Sequence, residues 1–88
     1  MNWKLKYTNQ ALKFLEKTSI ESIDPTMRKA IGKVMFLENA NINIRKMKGK
    51  WKEFYRIRQG NLRIIIKFEA EDRTVLIYRI GWRGNVYK

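Results

Sequence analysis

The sequence predicts an α+β fold in which a mostly antiparallel sheet carries a helical hairpin on one face. Two observations lead to this prediction. In the first half of the chain, apolar residues recur with the helical period, and in the second half they alternate with polar residues as in half-buried strands. With an opening strand, the expected order is β-α-α-β-β-β-β. We expect residues 1–88 to form a single domain, because a chain of this length supports one hydrophobic core.

The opening segment is expected to form a strand followed by a short helix. Apolar residues alternate with lysines at the start, which is the period of a strand, and they are Trp3, Leu5 and Tyr7. Thr8 or Asn9 can then cap a helix over residues 9–17, since either side chain accepts a hydrogen bond from a free N–H group of the first turn. The buried side of this helix is expected to consist of Ala11, Leu12, Phe14 and Leu15.

A second, longer helix is predicted over residues 25–38. Asp24 suits the cap position, and Pro25 suits the first turn, where its missing N–H group has no helical partner to lose. Apolar residues then follow at spacings of 3, 4, 7 and 8, which places them on one face of the helix. These residues are Met27, Ala30, Ile31, Val34, Met35 and Leu37.

The second half of the chain is expected to form a sheet. Gly60-Asn61 is a two-residue hairpin turn, and a second turn is expected within residues 69–73. Strands are predicted over residues 44–48, 53–59, 62–69 and 74–80.

The hairpin turn fixes a register between two of these strands. If Gln59 faces Leu62, then Arg58 faces Arg63, and alternation assigns every other side chain to a face. The outer face is expected to carry Arg56, Arg58, Arg63 and Lys67. The face towards the helices is expected to carry Tyr55, Ile57, Leu62, Ile64, Ile66 and Phe68.

This register has two consequences. Ile64 should matter more for stability than Ile65, because Ile65 falls on the outer face. Arg58 and Arg63 are directly opposed like charges, which is unfavourable in a sheet. Residues that break a local stability rule, such as opposed like charges, often lie in functional sites. The alternative interpretation is that these arginines lie on a solvent-exposed face and keep the protein soluble.

Charge points to a polyanionic partner. The chain has 20 Lys and Arg against 8 Asp and Glu, a net charge of +12. Eight of the nineteen residues from Arg45 to Arg63 are basic, and they alternate with apolar residues instead of forming a disordered tail. A folded cationic surface of this kind favours RNA as the ligand.

The absence of two residue types excludes several chemistries. The sequence has no cysteine, which excludes disulfides and thiolate zinc sites, and no histidine, which removes the commonest metal ligand and the usual base at neutral pH. We therefore expect neither a metal nor a cofactor. The chain also lacks an apolar run long enough for a membrane span or a signal segment, so a cytoplasmic location without membrane attachment is expected.

Two motifs carry a resemblance to a known family. The pattern K-M-K-G…F-Y-R-I-R-Q-G-N-L-R-I-I-I, followed by I-G-W-R-G-N-V-Y, resembles the RelE/ParE superfamily of type II toxin–antitoxin toxins, over nearly the whole chain. The RelE branch implies a ribosome-dependent mRNA endoribonuclease that inhibits translation without a metal. In that chemistry a ribose 2′-oxygen attacks the neighbouring phosphorus and a 5′-oxygen leaves.

The resemblance also implies site residues. Arg56 and Arg58 match two strand positions that are often lysine in the family, and Arg63 matches an arginine of the next strand. Arg83 and Tyr87 match the C-terminal Arg and Tyr, so these five residues are the predicted catalytic set. Their chemistry agrees, because guanidinium groups suit a phosphorane-like transition state that gains negative charge on oxygen. A phenol surrounded by cations can act as acid or base.

Two positions depart from the family pattern. Trp82 stands where some relatives have a histidine, and Arg58 stands where others use a lysine as general acid. Arginine stays protonated in proteins and is a poor proton donor. The proton transfers are therefore left to Tyr87, to a less obvious group, or to the RNA and the ribosome.

Further residues are predicted to bind RNA without taking part in chemistry. Lys48 matches a basic position before the family's glycine, and Trp82 can stack on a base or cover the edge of the core near Trp3. The remaining predicted RNA-binding residues are Lys46, Lys50 and Lys52.

The resemblance implies partners as well, namely mRNA, the ribosome and an acidic antitoxin protein. Two alternative functions stay open: a ParE-like inhibitor that binds DNA gyrase on the same fold, and an RNA or ribosome binder that performs no chemistry. ParE-like members tend to have longer helices and to lack the combined strand arginines and C-terminal Arg and Tyr.

Overall fold

The order of the elements is the predicted one. The computed structural model of the protein describes residues 2–20 and 22–84. The strands are β1 (Lys4–Tyr7), β2 (Asn43–Lys46), β3 (Tyr55–Gln59), β4 (Leu62–Glu69) and β5 (Thr74–Trp82). The helices are α1 (Asn9–Lys17) and α2 (Asp24–Met35), and 3₁₀ turns lie at Gly49–Trp51 and Ala70–Asp72. Among the helices of this described part, neither has the length and apolar character that a membrane span requires.

The strands form one sheet in the order β1-β5-β4-β3-β2. The first strand of the chain pairs in parallel with the last, and the other neighbouring pairs are antiparallel. The predicted fold class, a mostly antiparallel sheet with two helices, is therefore confirmed.

The predicted hairpin register is also confirmed. Gln59 lies opposite Leu62 and Arg58 opposite Arg63. The residues assigned to the helical face are part of the core or pack against it, as expected for side chains that alternate between faces. The core cluster consists of Ala11, Ile23, Met27, Ala30, Ile31, Ile57, Leu62, Ile64, Ile66, Val75, Ile77 and Ile80.

Helix α1 is fixed to β5 by two polar side chains. The Thr8 hydroxyl caps the helix by accepting from the Ala11 N–H at 3.3 Å, and it donates to the Tyr78 carbonyl at 2.6 Å. Gln10 acts like one more residue of β1: its Nε2 donates to the Ile80 carbonyl at 2.7 Å, and its Oε1 accepts from the Ile80 N–H at 3.0 Å. Leu12 was expected on the buried side but is 44% exposed.

Helix α2 ends at Met35, earlier than the predicted residue 38. Leu37 takes a left-handed conformation with φ of 54°, which stops the helix and turns the chain back. The N–H groups of Phe36 and Glu38 then both donate to the Gly32 carbonyl, at 3.1 and 2.9 Å. The carboxylate of Glu38 occupies the space where a Cβ on residue 32 would lie, so a larger residue at this position would require the end of the Glu38 side chain to move.

Smaller differences concern the ends of elements. Asp24 is the first residue of α2 and not its cap, and its N–H donates to the Ser22 hydroxyl at 3.1 Å. Strand β3 begins at Tyr55 rather than residue 53, because the preceding segment forms the Gly49–Trp51 turn.

Candidate nucleic-acid interface

The outer face of the sheet, opposite the helices, is crossed by two rows of paired residues. Strand registers define what we call the hairpin row, which consists of Asn43, Arg58, Arg63 and Gly81. They define in the same way the middle row, which consists of Arg45, Arg56, Ile65 and Arg79. The rows lie two residues apart along the strands, which corresponds to about 6.8 Å. Neither row includes an acidic residue, so both present positive charge.

The hairpin row carries two predicted catalytic residues, Arg58 and Arg63, and a third, Arg83, lies beside the hairpin turn. Arg58 and Arg63 are Cα partners, and the buried Gly81 is the Cα partner on the other side of Arg63. The Arg83 N–H donates to the carbonyl of Asn61 at 2.8 Å, which holds Arg83 against the hairpin turn. This end of the sheet therefore concentrates positive charge, an arrangement that attracts an anion.

Arg63 is held in place by the turn that precedes it. Its Nη1 donates to the carbonyls of Gly60, at 2.7 Å, and Leu62, at 2.9 Å. These bonds use one nitrogen of the guanidinium, which has five N–H donors in all. Because these bonds already restrict the Arg63 side chain, it loses less conformational entropy when it binds a phosphate.

The middle row contains a buried donor that lacks an acceptor. Arg56 lies opposite Arg45, and its Nε is buried with no hydrogen-bond partner. A buried donor left unpaired costs about 1–3 kcal/mol, and an anion or a water bound beside it would supply the missing acceptor. A cavity of about 220 Å³ adjoins this residue and is lined by Arg45, Lys46, Met47, Lys48 and Arg56.

The predicted RNA-binding residues are distributed over more than one surface. Lys48, Lys50 and Lys52 are exposed around the turn that joins β2 to β3. Lys46 lies opposite Tyr55, a residue of the helical face, and its Nζ is 5.2 Å from the centroid of that ring. The ammonium group of Lys46 therefore lies over a ring of the helical face, although Lys46 also lines the cavity beside Arg45 and Arg56.

Trp82 also lies on the helical side of the sheet. It is the Cα partner of the core residue Leu62, and its ring centroid is 5.4 Å from that of Phe14 in α1. Its side chain is 45% exposed. Trp3 packs instead against Phe68, at 6.2 Å, so Trp82 covers a different edge of the core from the one expected.

An aromatic cluster on the outer face was not predicted. A β-bulge between Ile65 and Ile66 makes Ile65 the partner of Arg79 and Ile66 the partner of Ile77, so Tyr78 is the extra residue on β5. In a bulge two residues oppose one, which puts Tyr78 and Arg79 together across from Ile65. The ring of Tyr78 lies 5.8 Å from that of Trp51 and 5.0 Å from that of Phe54.

This aromatic cluster (Trp51, Phe54 and Tyr78) changes the expected character of the outer face. Ile65 is fully buried, although it is not part of the core beneath the helices. The sequence contains a signal for the bulge. The buried aliphatic residues of β5 are Val75, Ile77 and Ile80, so the spacing between successive ones increases from two residues to three. The outer face is therefore partly a second, small apolar layer.

The predicted catalytic set contains one tyrosine, Tyr87. Tyr87 lies outside the described residues. Tyr7 is half-buried beside the core, where burial raises its pKa above 10.0 and the Asp24 carboxylate raises it further, so its phenol stays protonated at neutral pH. Within residues 2–20 and 22–84, no three Asp or Glu side chains come together as a possible metal site.

Comparison with known proteins identifies the fold. No protein-family model matches the chain, and no curated protein matches it in sequence. The chain is similar to a solved RelB–RelE antitoxin–toxin complex from Methanococcus jannaschii, with 25% identity, a TM-score of 0.62 and coverage of 93% of this chain and 94% of that one.

Two further solved structures agree. The RelE–RelB complex from Pyrococcus horikoshii OT3 matches with 20% identity and a TM-score of 0.62, covering 98% of this chain and 100% of that one. A YafQ mutant from E. coli matches with 15% identity and a TM-score of 0.58, covering 91% and 92%. The resemblance found in the sequence is thus confirmed in three dimensions, and the chain has the fold of the RelE and YafQ toxins over nearly its whole length.

Proposed function

We propose that this protein is the toxin of a type II toxin–antitoxin system and that it cleaves mRNA on the ribosome without a metal ion. One observation carries the proposal: on a RelE-like sheet, Arg58 and Arg63 lie directly opposite each other across the hairpin, and the backbone of Arg83 is hydrogen-bonded to the same hairpin turn. Opposed arginines destabilise a sheet. A bound phosphate would convert that repulsion into a set of charge-assisted hydrogen bonds.

The reaction requires little more than charge stabilisation and orientation. The ribose 2′-oxygen forms a bond to the adjacent phosphorus while the bond from phosphorus to the 5′-oxygen breaks, leaving a 2′,3′-cyclic phosphate and a 5′-hydroxyl. The 2′-hydroxyl loses a proton, and the leaving 5′-oxygen gains one. Negative charge builds on the non-bridging oxygens, where positioned guanidinium donors stabilise it.

The proton transfers are assigned by the family resemblance. Tyr87 is proposed as the group that donates or accepts a proton, because arginine stays protonated and the chain has no histidine. A site with so weak a set of bases depends on the ribosome to hold the 2′-hydroxyl in line with the phosphorus. Orientation of this kind can supply about 7–11 kcal/mol of a barrier.

An acidic antitoxin is the proposed protein partner. The net charge of +12 favours rapid association with an acidic protein. The M. jannaschii and P. horikoshii structures are complexes of RelE with RelB, which supports a partner of the same kind here.

The gyrase-inhibitor alternative receives less support. The helices have 9 and 12 residues, whereas the ParE-like branch tends to have longer ones. The strand arginines of the hairpin row also have no role in an inhibitor that acts only through protein binding.

The decisive experiment follows one defined message in a reconstituted translation system by primer extension. Wild-type protein should stop translation and produce new 5′ ends within ribosome-bound codons, while the same RNA without ribosomes stays largely intact. Arg63→Ala and Arg83→Ala should each lower the cleavage rate by about 10²–10³, the usual effect of losing one transition-state donor. Arg28→Ala is the matched control, since it removes an exposed arginine from α2 on the other side of the sheet.

Three outcomes would contradict the proposal. One is rapid cleavage of free RNA, and another is translation arrest with intact message. The third is gyrase inhibition by protein that leaves mRNA uncut. Tyr87→Phe tests the proposed proton transfer within the same assay, because loss of the hydroxyl should abolish cleavage, whereas a ring that only stacks should leave most of it.

A further inference from the structure

We propose that the aromatic cluster is a platform on which a nucleobase flanking the cleaved phosphate stacks. The inference rests on the proposed function, since it names the residues that position the RNA. Trp51, Phe54 and Tyr78 lie on the same face as the arginine rows, and each ring is only half-buried. Ile65 on the same face is fully buried, and each ring of the cluster keeps part of its surface exposed.

The position of the cluster suits a neighbouring nucleotide. Tyr78 and Arg79 stand across from Ile65 in the middle row, and the hairpin row lies about 6.8 Å further along the strands. A strand of RNA whose phosphate lies among Arg58, Arg63 and Arg83 would therefore reach the cluster within one or two nucleotides. The cluster would hold the RNA in register while the arginines act on the phosphate.

The charges around the cluster favour RNA over a protein segment. Lys50 and Lys52 flank Trp51 on the connecting turn, and the Arg79 guanidinium lies 5.6 Å from the centroid of the Tyr78 ring. Aromatic rings and guanidinium planes are the surfaces on which single-stranded bases stack. Glu53 is the acidic residue of this segment, and its carboxylate lies 3.9 Å from the Lys67 ammonium, which offsets its charge.

The structural role of the cluster does not by itself account for its composition. Covering Ile65 requires apolar surface, which leucine or methionine would provide as well. Three aromatic rings among lysines and arginines provide both the cover and a stacking surface.

Tryptophan fluorescence tests the inference without any need for cleavage. The chain has three tryptophans, so the Trp3→Phe/Trp82→Phe variant leaves Trp51 as the only reporter. The probe is a single-stranded 2′-O-methyl RNA of about ten nucleotides, which is within the range of single-strand sites and cannot undergo 2′-oxygen attack. The control is an abasic oligomer with the same number of phosphates. RNA should quench Trp51 well beyond the abasic oligomer, and equal quenching by both would overturn the inference.

A second measurement locates the effect on the ring of Tyr78. Tyr78→Leu keeps an apolar cover over Ile65 but removes the ring, and it should weaken binding of the same RNA by about 5- to 150-fold, the equivalent of one stacked base. Phe68→Leu is the matched control, because it removes a ring from the aromatic contacts of the helical face. Equal affinities for Tyr78→Leu and Phe68→Leu, in proteins shown to be folded by circular dichroism, would overturn the inference.

The two proposals fail in different ways. If Arg63→Ala abolishes ribosome-dependent cleavage but Trp51 does not distinguish RNA from the abasic oligomer, the enzyme stands and the platform is wrong. If Trp51 recognises bases but no message is cut on the ribosome, the proposed function is wrong, and with it the platform's role in cleavage.

Discussion

The two faces of the sheet use the same strands for different purposes. On the helical face, aliphatic side chains of β3, β4 and β5 are fully buried against α1 and α2. On the outer face, the same strands carry arginines in directly opposed positions, together with the fully buried Ile65 and the tyrosine of the aromatic cluster. Side chains alternate between the two faces of the sheet along a strand. Residues that stabilise the fold therefore alternate in the sequence with residues that are proposed to bind RNA. Substitutions of neighbouring residues therefore separate stability from function.

The largest expected effect on stability comes from the buried isoleucines of β4. Ile64→Ala should lower the free energy of unfolding by about 2–5 kcal/mol, as large-to-small core substitutions do. Ile65→Ala should also fall within this range, because Ile65 is equally buried, although nearer its lower end, since the aromatic cover can close over the cavity. Urea unfolding of both variants measures the difference. A negligible cost for Ile65→Ala would show that the outer face has no apolar layer of its own.

An intermediate effect is expected where α1 meets β5. Gln10→Ala removes both side-chain bonds to Ile80 and leaves a backbone N–H and a carbonyl unpaired, which should cost about 1–3 kcal/mol. Gln10→Glu should cost less, because the acceptor for the Ile80 N–H is kept. Lys13→Ala, at an exposed position of the same helix, is the control for thermal denaturation. A loss for Gln10→Ala no greater than for Lys13→Ala would mean that the amide does not contribute to joining helix and sheet.

The smallest effect is expected for the arginines of the hairpin row. Arg63→Ala loses two hydrogen bonds to the turn but relieves the repulsion from Arg58, so the free energy of unfolding should change by no more than about 1 kcal/mol. Salt separates the two contributions, since ions screen the repulsion more effectively than the short hydrogen bonds. Wild-type stability should therefore rise with salt more steeply than that of Arg63→Ala in urea titrations. A destabilisation as large as that of Ile64→Ala would make Arg63 chiefly a structural residue.

The fold was predictable because its signals are local. The Gly60-Asn61 turn sets the register of β3 and β4, and the apolar periods set the helices. The early end of α2 was not predictable in the same way, because Leu37 is rarely found in a left-handed conformation and the reversal at this point depends on Gly32 and Glu38 coming together. The apolar pattern of the sequence continues beyond Met35, where α2 ends, and therefore predicted a longer helix.

The candidate site was predictable only in part. Arg58 and Arg63 face each other across one hairpin, and Arg83, directly after the strand beside it, is hydrogen-bonded through its backbone to the turn. Their part in catalysis stays a prediction. Lys46 and Trp82 fall on the helical side because each is one residue out of phase with the arginines. The aromatic cluster was missed because it joins a loop to a bulge, and neither the contact of Trp51 with Tyr78 nor the extra residue in β5 follows from a regular alternation.

The pairing of the first strand with the last sets the order in which the molecule can assemble. The hairpin of β3 and β4 closes over a two-residue turn, whereas β1 must find β5 across some seventy residues, as the bonds of Thr8 to Tyr78 and of Gln10 to Ile80 show. Loop-closure entropy makes such distant contacts late events in folding. A chain still being synthesised can therefore form the Arg58 and Arg63 hairpin well before β1 and α1 gain their final support from β5. We expect the nascent protein to complete its fold, and any activity that depends on Arg83, only when its last strand is available.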